Sequence, residues 1–270
     1  MNAKISTLQI LALNDAEESE NRIHSDDIAA KYGFKGALVS GVNVFGYLTQ
    51  PLVRIYGEQW LEKGMLDVLF MKPAYQDDLL TISTENLDDT SDQRSHLTSA
   101  HNEAGQLLAR LESWLPTNMP KLNELAHSDG GKAIKRRKKI SWDAIVLKEP
   151  APLHLWCPSA EENQAHVQVQ RDQSSLYQGE GQYVHPYFLL DACNRALMRM
   201  FILPAWVHTG SKLVLREGIR VGDSLEVLTI PIEKWERKGH QFIKLYIAMR
   251  KGNDVALEVE HTAIFRLAEA

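Results

Sequence analysis

The sequence predicts an α+β protein in which a long apolar helix lies against a curved antiparallel sheet, and in which that unit occurs twice. One observation behind this is an internal echo. Trp60-Leu61-Glu62-Lys63-Gly64 leads into Leu66-Asp67-Val68-Leu69-Phe70, and Trp206-Val207-His208-Thr209-Gly210 leads into Lys212-Leu213-Val214-Leu215-Arg216. The blocks stand about 145 residues apart, which is half a chain rather than a short solenoid period. A second observation is that local signals come in the same order in both halves.

Each half begins with an apolar helix-like stretch, Val42 to Tyr56 in the first and Tyr187 to Ile202 in the second. A strand and a turn carrying Asp follow: Pro73 and Asp77-Asp78 in the first half, Gly218 and Gly222-Asp223 in the second. Further strands close each unit. Phe242 to Ile247 and Val255 to Val259 are enriched in β-branched residues, and Lys251-Gly252-Asn253-Asp254 supplies the hairpin between them. Arg94 to Ala100 and Gln106 to Trp114 play the same parts in the first half, joined by Asn102-Glu103-Ala104-Gly105. Residues 1–116 and 140–270 are thus read as two domains. The segment 117–139, rich in Asn, Lys, Gly and Ser, is read as a linker. Its basic run, Lys135 to Lys139, reads as a solvated connector; contact with coenzyme A phosphates or an acidic carrier protein is the sharper alternative.

Bulk properties set limits on function. The 270 residues are 44% hydrophobic and 24% charged, enough for one large core or two smaller ones. A net charge of -5, with no aromatic residues interleaved in the basic run, argues against a nucleic-acid partner. Two cysteines are too few for a disulfide framework and suggest a reducing compartment. No apolar run approaches the roughly 20 residues that cross a bilayer, and no signal-peptide pattern opens the chain, so the expected location is cytoplasmic, away from the membrane. There is no G-x-S-x-G, H-E-x-x-H, P-loop or complete G-x-G-x-x-G motif, and the ten histidines show no metal-ligand spacing.

One N-terminal segment does carry a pattern: Asn21-Arg22-Ile23-His24-Ser25-Asp26, then Ala29-Ala30, Gly33-Phe34 and Gly41. With Trp60, Phe70, Pro73 and Asp78 it resembles the MaoC-like hydratases, a hot-dog family that includes type 2 enoyl-CoA hydratases, over about the first 115 residues. The family's catalytic carboxylate, five positions before the histidine, falls here on Ser19, flanked by Glu18 and Glu20. In the second half, His185-Pro186-Tyr187-Phe188-Leu189-Leu190-Asp191-Ala192 resembles the central-helix motif of double hot-dog dehydratase domains, with Asp191 on the acid. That half lacks the His-x3-Gly-x4-Pro strand motif of those domains, and Arg195 stands where they carry Gln.

The combined resemblance implies a double hot-dog fold, two curved antiparallel sheets each wrapped around a long central helix. It further implies an acyl-thioester hydratase or dehydratase that needs no cofactor and no metal. His24 from the first half and Asp191 from the second would face each other as catalytic base and acid, with Asn21, Asp26, Gly41 and His185 around the substrate. The substrate would be an acyl-CoA or an acyl-carrier-protein thioester, and homodimer formation is left open. Plainer readings stand beside these. Asp191 can pair with Arg195 at i, i+4; His24 can cap the next helix; His185 can simply begin one; Gly41 can serve close helix entry alone. Gly46 aligns with Asp191, so the mirrored site would lack its acid. A thioesterase using Asp191 to activate water, and a non-catalytic acyl-binding protein, are the alternative functions.

Overall fold

The computed structural model describes residues 4–90 and 93–268. The first half runs β1 (Lys4–Leu11), α1 (Asp26–Lys31), α2 (Gly41–Tyr56), α3 (Glu58–Lys63), β2 (Met65–Phe70), β3 (Leu79–Thr90), β4 (Gln93–His101) and β5 (Leu107–Trp114). The second runs β6 (Lys138–Lys139), β7 (His154–Trp156), α4 (Ala160–Gln170), α5 (Tyr187–Met200), β8 (Phe201–Ile202), β9 (Val207–Leu215), β10 (Leu225–Arg237), β11 (His240–Lys251) and β12 (Asp254–Arg266). Among the described residues, no helix is long and apolar enough to cross a membrane.

The double hot-dog expectation holds, except that the two expected sheets are joined edge to edge into one. Ten strands form one antiparallel sheet in the order β1-β3-β4-β5-β2-β9-β12-β11-β10-β7, so that each half contributes five neighbours. The echoed strands β2 and β9 are the seam, pairing antiparallel from Met65↔Val214 to Leu69↔Gly210. Glycine is required at that last pair, because a Cβ on Gly210 would stand 2.7 Å from the Val68 carbonyl oxygen.

Both long helices are held by burial, to different extents. Helix α2 is buried from Val42 to Val53, whereas α5 buries one apolar face and leaves Arg195 and Arg199 exposed. Leu48, Leu52 and Phe45 of α2 and Leu190, Cys193 and Leu197 of α5 are fully enclosed and share one core. Helix α5 ends at Met200, short of the expected Ile202, because Phe201 and Ile202 peel off to pair in parallel with Lys138 and Lys139. The segment 117–139 is less free than a linker composition suggests. Ala126 is completely buried in a separate cluster with Leu228, Ile230 and Tyr246, and Arg137 bonds both carboxylate oxygens of Glu20 at 2.9 and 3.1 Å. Strand β1 and helix α4 are elements the sequence pattern did not announce.

Candidate active site

Between the halves lies a cavity of about 250 Å³, under the N-terminus of α2. Its walls are mainly apolar, with Ile23, Phe34, Leu38, Val44, Phe70 and Ile264 among them, and its polar side chains include Asn21, His24, Asn194, Trp206 and His208. Among the described residues, no carboxylate lines it.

His24 closes a single 3-10 turn, Arg22–His24, that starts at Asn21. Its Nδ1 lies 2.7 Å from the Leu38 carbonyl, which can only accept, so the proton is on Nδ1. That leaves Nε2 as the basic nitrogen, with Asn21 Nδ2 donating to it over 3.3 Å. The Asn21 amide is oriented by the second half, since its Oδ1 accepts from the Trp206 N–H at 3.1 Å and its Nδ2 donates to the Trp206 carbonyl at 3.0 Å. Burial holds His24 below the ordinary histidine range, offset in part by the Leu38 carbonyl and the Asp15 charge. The imidazole is therefore neutral at neutral pH.

Gly41 also lines the cavity, as the first residue of α2. Its N–H belongs to the first-turn donors that have no intrahelical acceptor and that carry the positive end of the helix dipole. Of the expected site residues, His24, Asn21 and Gly41 are thus brought together.

Three others are not. Asp191 does not reach the cavity wall; its carboxylate accepts from Arg195 Nε at 2.6 Å, the plainer i, i+4 reading. Burial raises its pKa and Arg195 pulls it back down, with Asp15 and Glu162 as the acidic neighbours. Helix α5 presents Asn194 to the cavity instead, and the buried Asn194 Oδ1 has no hydrogen-bond partner. Asp26 braces a loop, its Oδ1 accepting from the Ala37 N–H at 2.7 Å, outside the cavity wall. His185 is wholly enclosed, with Nε2 3.5 Å from Asp172 Oδ2 and its ring against Tyr177 and His166. It does not line the cavity, and burial lowers its pKa.

Ser19 stands where the resemblance to the MaoC-like hydratases places a carboxylate. Ser19 Oγ donates to the Asn21 carbonyl at 3.1 Å and shapes the loop. Glu20 is committed to Arg137, and Glu18 is exposed. Neither carboxylate replaces the absent one.

Two further residues escaped the sequence reading. Trp206 is the echo of Trp60, yet the pair differ: Trp60 Nε1 donates to Ser113 Oγ at 2.8 Å, while Trp206 Nε1 is buried without a partner in the cavity wall. His208 heads a buried chain in which its Nε2 meets Ser211 Oγ at 2.8 Å, and Ser211 Oγ meets His261 Nδ1 at 3.0 Å. The only available signal was Trp206-Val207-His208 itself, which marks a strand rather than a site.

The mirrored position is filled. A Cβ on Gly46 would stand 2.5 Å from Gln170 Oε1, so the Gln170 side chain occupies the notch that Gly46 leaves in α2. Gln170 is fixed there by donation to Asn43 Oδ1 at 3.2 Å and by Gln50 donating to its carbonyl at 2.8 Å.

No family model matches this chain, and no curated relative matches it. Solved structures do share its fold. A protein described as a MaoC domain dehydratase from Chloroflexus aurantiacus superposes with a TM-score of 0.70 at 11% identity, covering 98% of this chain and 95% of that one. A double hot-dog protein from Mycobacterium tuberculosis gives 0.65 at 13% identity, over 97% and 96% of the two chains. One described as an oleoyl thioesterase from Lactobacillus plantarum gives 0.56 at 11% identity, over 98% and 97%. The chain has the double hot-dog fold, shared by structures described as dehydratases and as thioesterases.

Proposed function

We propose that this chain adds or removes water across the α,β bond of an enoyl or 3-hydroxyacyl thioester. The observation that carries the reading is a neutral imidazole in the wall of an apolar cavity at the start of α2, with its tautomer fixed by the Leu38 carbonyl. In dehydration, His24 Nε2 takes the α-proton and the C–H electron pair moves toward the thioester oxygen. The resulting enolate collapses, the double bond forms, and the β-hydroxyl leaves as water with the proton that His24 returns. Hydration is the reverse. The Gly41 N–H faces the charge that grows on the thioester oxygen, and Asn194 Oδ1 accepts from the β-hydroxyl. One imidazole thus serves both proton transfers, since no carboxylate among the described residues lines the cavity to share them.

The hydrolytic alternative relied on Asp191 to activate water. Arg195 holds that carboxylate outside the cavity wall, which takes support from that alternative as it takes the cross-half acid from the hydration reading. The test is to incubate the chain with but-2-enoyl-CoA and follow both the conjugated absorbance and free thiol. Hydration removes the absorbance without releasing thiol, and His24→Ala lowers kcat by about 10²–10⁴-fold. Thiol release with the double bond intact would overturn the reading.

A further inference from the structure

Ser40 is the N-cap of α2 and only 6% of it is exposed, yet its side chain makes no cap bond. A serine at that position ordinarily accepts from the second or third N–H of the helix. Here the Ser40 carbonyl has taken the third donor, since the Asn43 N–H reaches it at 3.0 Å, beside the Val44 N–H at 3.3 Å. The hydroxyl is thereby released from the helix end, and it bonds to no other described residue. Its oxygen is not sealed in as Trp206 Nε1 is, although both residues stand in the cavity wall.

The next residue is Gly41, whose N–H has no acceptor among the described residues. A Cβ there would meet Phe70 and His208 at 3.6 and 3.7 Å, which is ordinary contact, so neither neighbour demands the glycine. A bare backbone in a cavity wall instead lets a ligand atom come close to the N–H. Covalent geometry keeps the hydroxyl of a serine within roughly 3–5 Å of the N–H of the following residue, so one oxygen can accept from both.

We infer that the Ser40 hydroxyl is a second donor to the thioester carbonyl oxygen, forming with the Gly41 N–H an oxyanion site at the start of α2. The inference rests on the reading of the cavity as an acyl-thioester site, and adds to it a side chain that touches substrate. The positive end of the α2 dipole lies at the same place, so two donors and the helix act on one developing charge. It also gives the unused cap a purpose, because a serine bonded to its own helix would have no hydrogen to offer.

The experiment uses the full chain and variants at Ser40. The probe is butyryl-CoA labelled with ¹³C at the carbonyl, which has no double bond to hydrate. Its bound carbonyl stretch is read by difference infrared spectroscopy, beside kcat and KM for but-2-enoyl-CoA and the thermal midpoint. In the wild type the band moves to lower frequency on binding. S40A loses a large part of that shift, with kcat about 10²–10³-fold lower, a smaller change in KM and an unchanged midpoint. S40T, which keeps the hydroxyl, regains most of the shift and of kcat. A serine that merely caps the helix gives the opposite pattern, in which S40A loses stability and keeps both band and kcat, and that result overturns the inference alone. If S40A does not fold, S40C carries the test with a weak donor of nearly the same size: a reduced shift supports the inference, and a wild-type band overturns it. A wild type that neither binds butyryl-CoA nor hydrates but-2-enoyl-CoA removes the functional reading and this inference with it.

Discussion

Asn21 and Trp206 are joined twice, the asparagine side chain both accepting from the tryptophan N–H at 3.1 Å and donating to its carbonyl at 3.0 Å. A side chain of the first half thus behaves like a strand neighbour of the second, 185 positions away. The same amide nitrogen faces His24 Nε2. Orientation of the proposed base is therefore set by how the two halves meet.

Asn21→Ala removes these bonds together and leaves buried backbone groups of Trp206 without partners. Stability should fall by about 1–3 kcal/mol, and kcat should fall more than KM changes, because the imidazole loses its orientation. Urea titration and steady-state kinetics on the same preparation check both. A variant as stable and as active as the wild type would remove Asn21 from the site.

Asp191→Asn separates the cross-half acid from the helix ion pair. The carboxylate is bonded to Arg195 and does not line the cavity, so kcat should change by less than about 10-fold, against the ~10²–10⁴-fold expected for His24→Ala. Equal losses in the two variants would restore Asp191 to the chemistry.

The pH profile of kcat/KM should be flat on its acid side to below the ordinary histidine range. His24 acts as a base, and burial lowers its pKa, so the active neutral form persists as pH falls until that depressed pKa is crossed. An acid limb at or above about 6.5 would contradict this.

Acid should also unfold the chain early. His166 and His261 are pushed down to about 3, each chiefly by burial. Below about 6.5 the unfolded chain takes up protons at these positions while the native one does not, so stability is lost as pH falls from there toward 3. Each contributes a slope of up to about 1.4 kcal/mol per pH unit in that window. Urea midpoints at pH 7, 5 and 4 should drop steeply for the wild type and less steeply for His261→Asn. Parallel curves would show that His261 titrates normally.

Gly46→Ala tests the filled mirror position. The new methyl would stand 2.5 Å from Gln170 Oε1, forcing the side chain off Asn43 at a cost of about 1–3 kcal/mol. Combining it with Gln170→Ala should recover part of that loss, measured as a double-mutant cycle. Strict additivity would mean that the two do not touch.

The duplicated architecture was legible because Trp60 and Trp206 introduce strands with the same apolar pattern, and those strands proved to be the seam. Asn21 and His24 were legible because they share one short turn, and Gly41 because it opens α2. Asp191 and Asn194 show where legibility ends. They sit three positions apart on α5, and which of them faces the cavity depends on how that helix is rotated against the opposite half. His185 differs, since His166 of α4 and Asp172 and Tyr177 of the stretch after it enclose the ring, and neither segment has an apolar period to read. Glu20 found its partner in Arg137, 117 positions on, where charge composition alone showed only solvated lysine and arginine.

The β2–β9 seam makes the order of the chain matter for its survival. A fragment ending near residue 116 would carry β2 as a bare edge, with Val68 and Leu69 offering unpaired backbone groups to any passing strand. Its best available mate is the same edge of another fragment, so a truncated first half should self-associate or precipitate rather than persist as a monomer. Joining the two units in one polypeptide gives each edge its companion within the same chain.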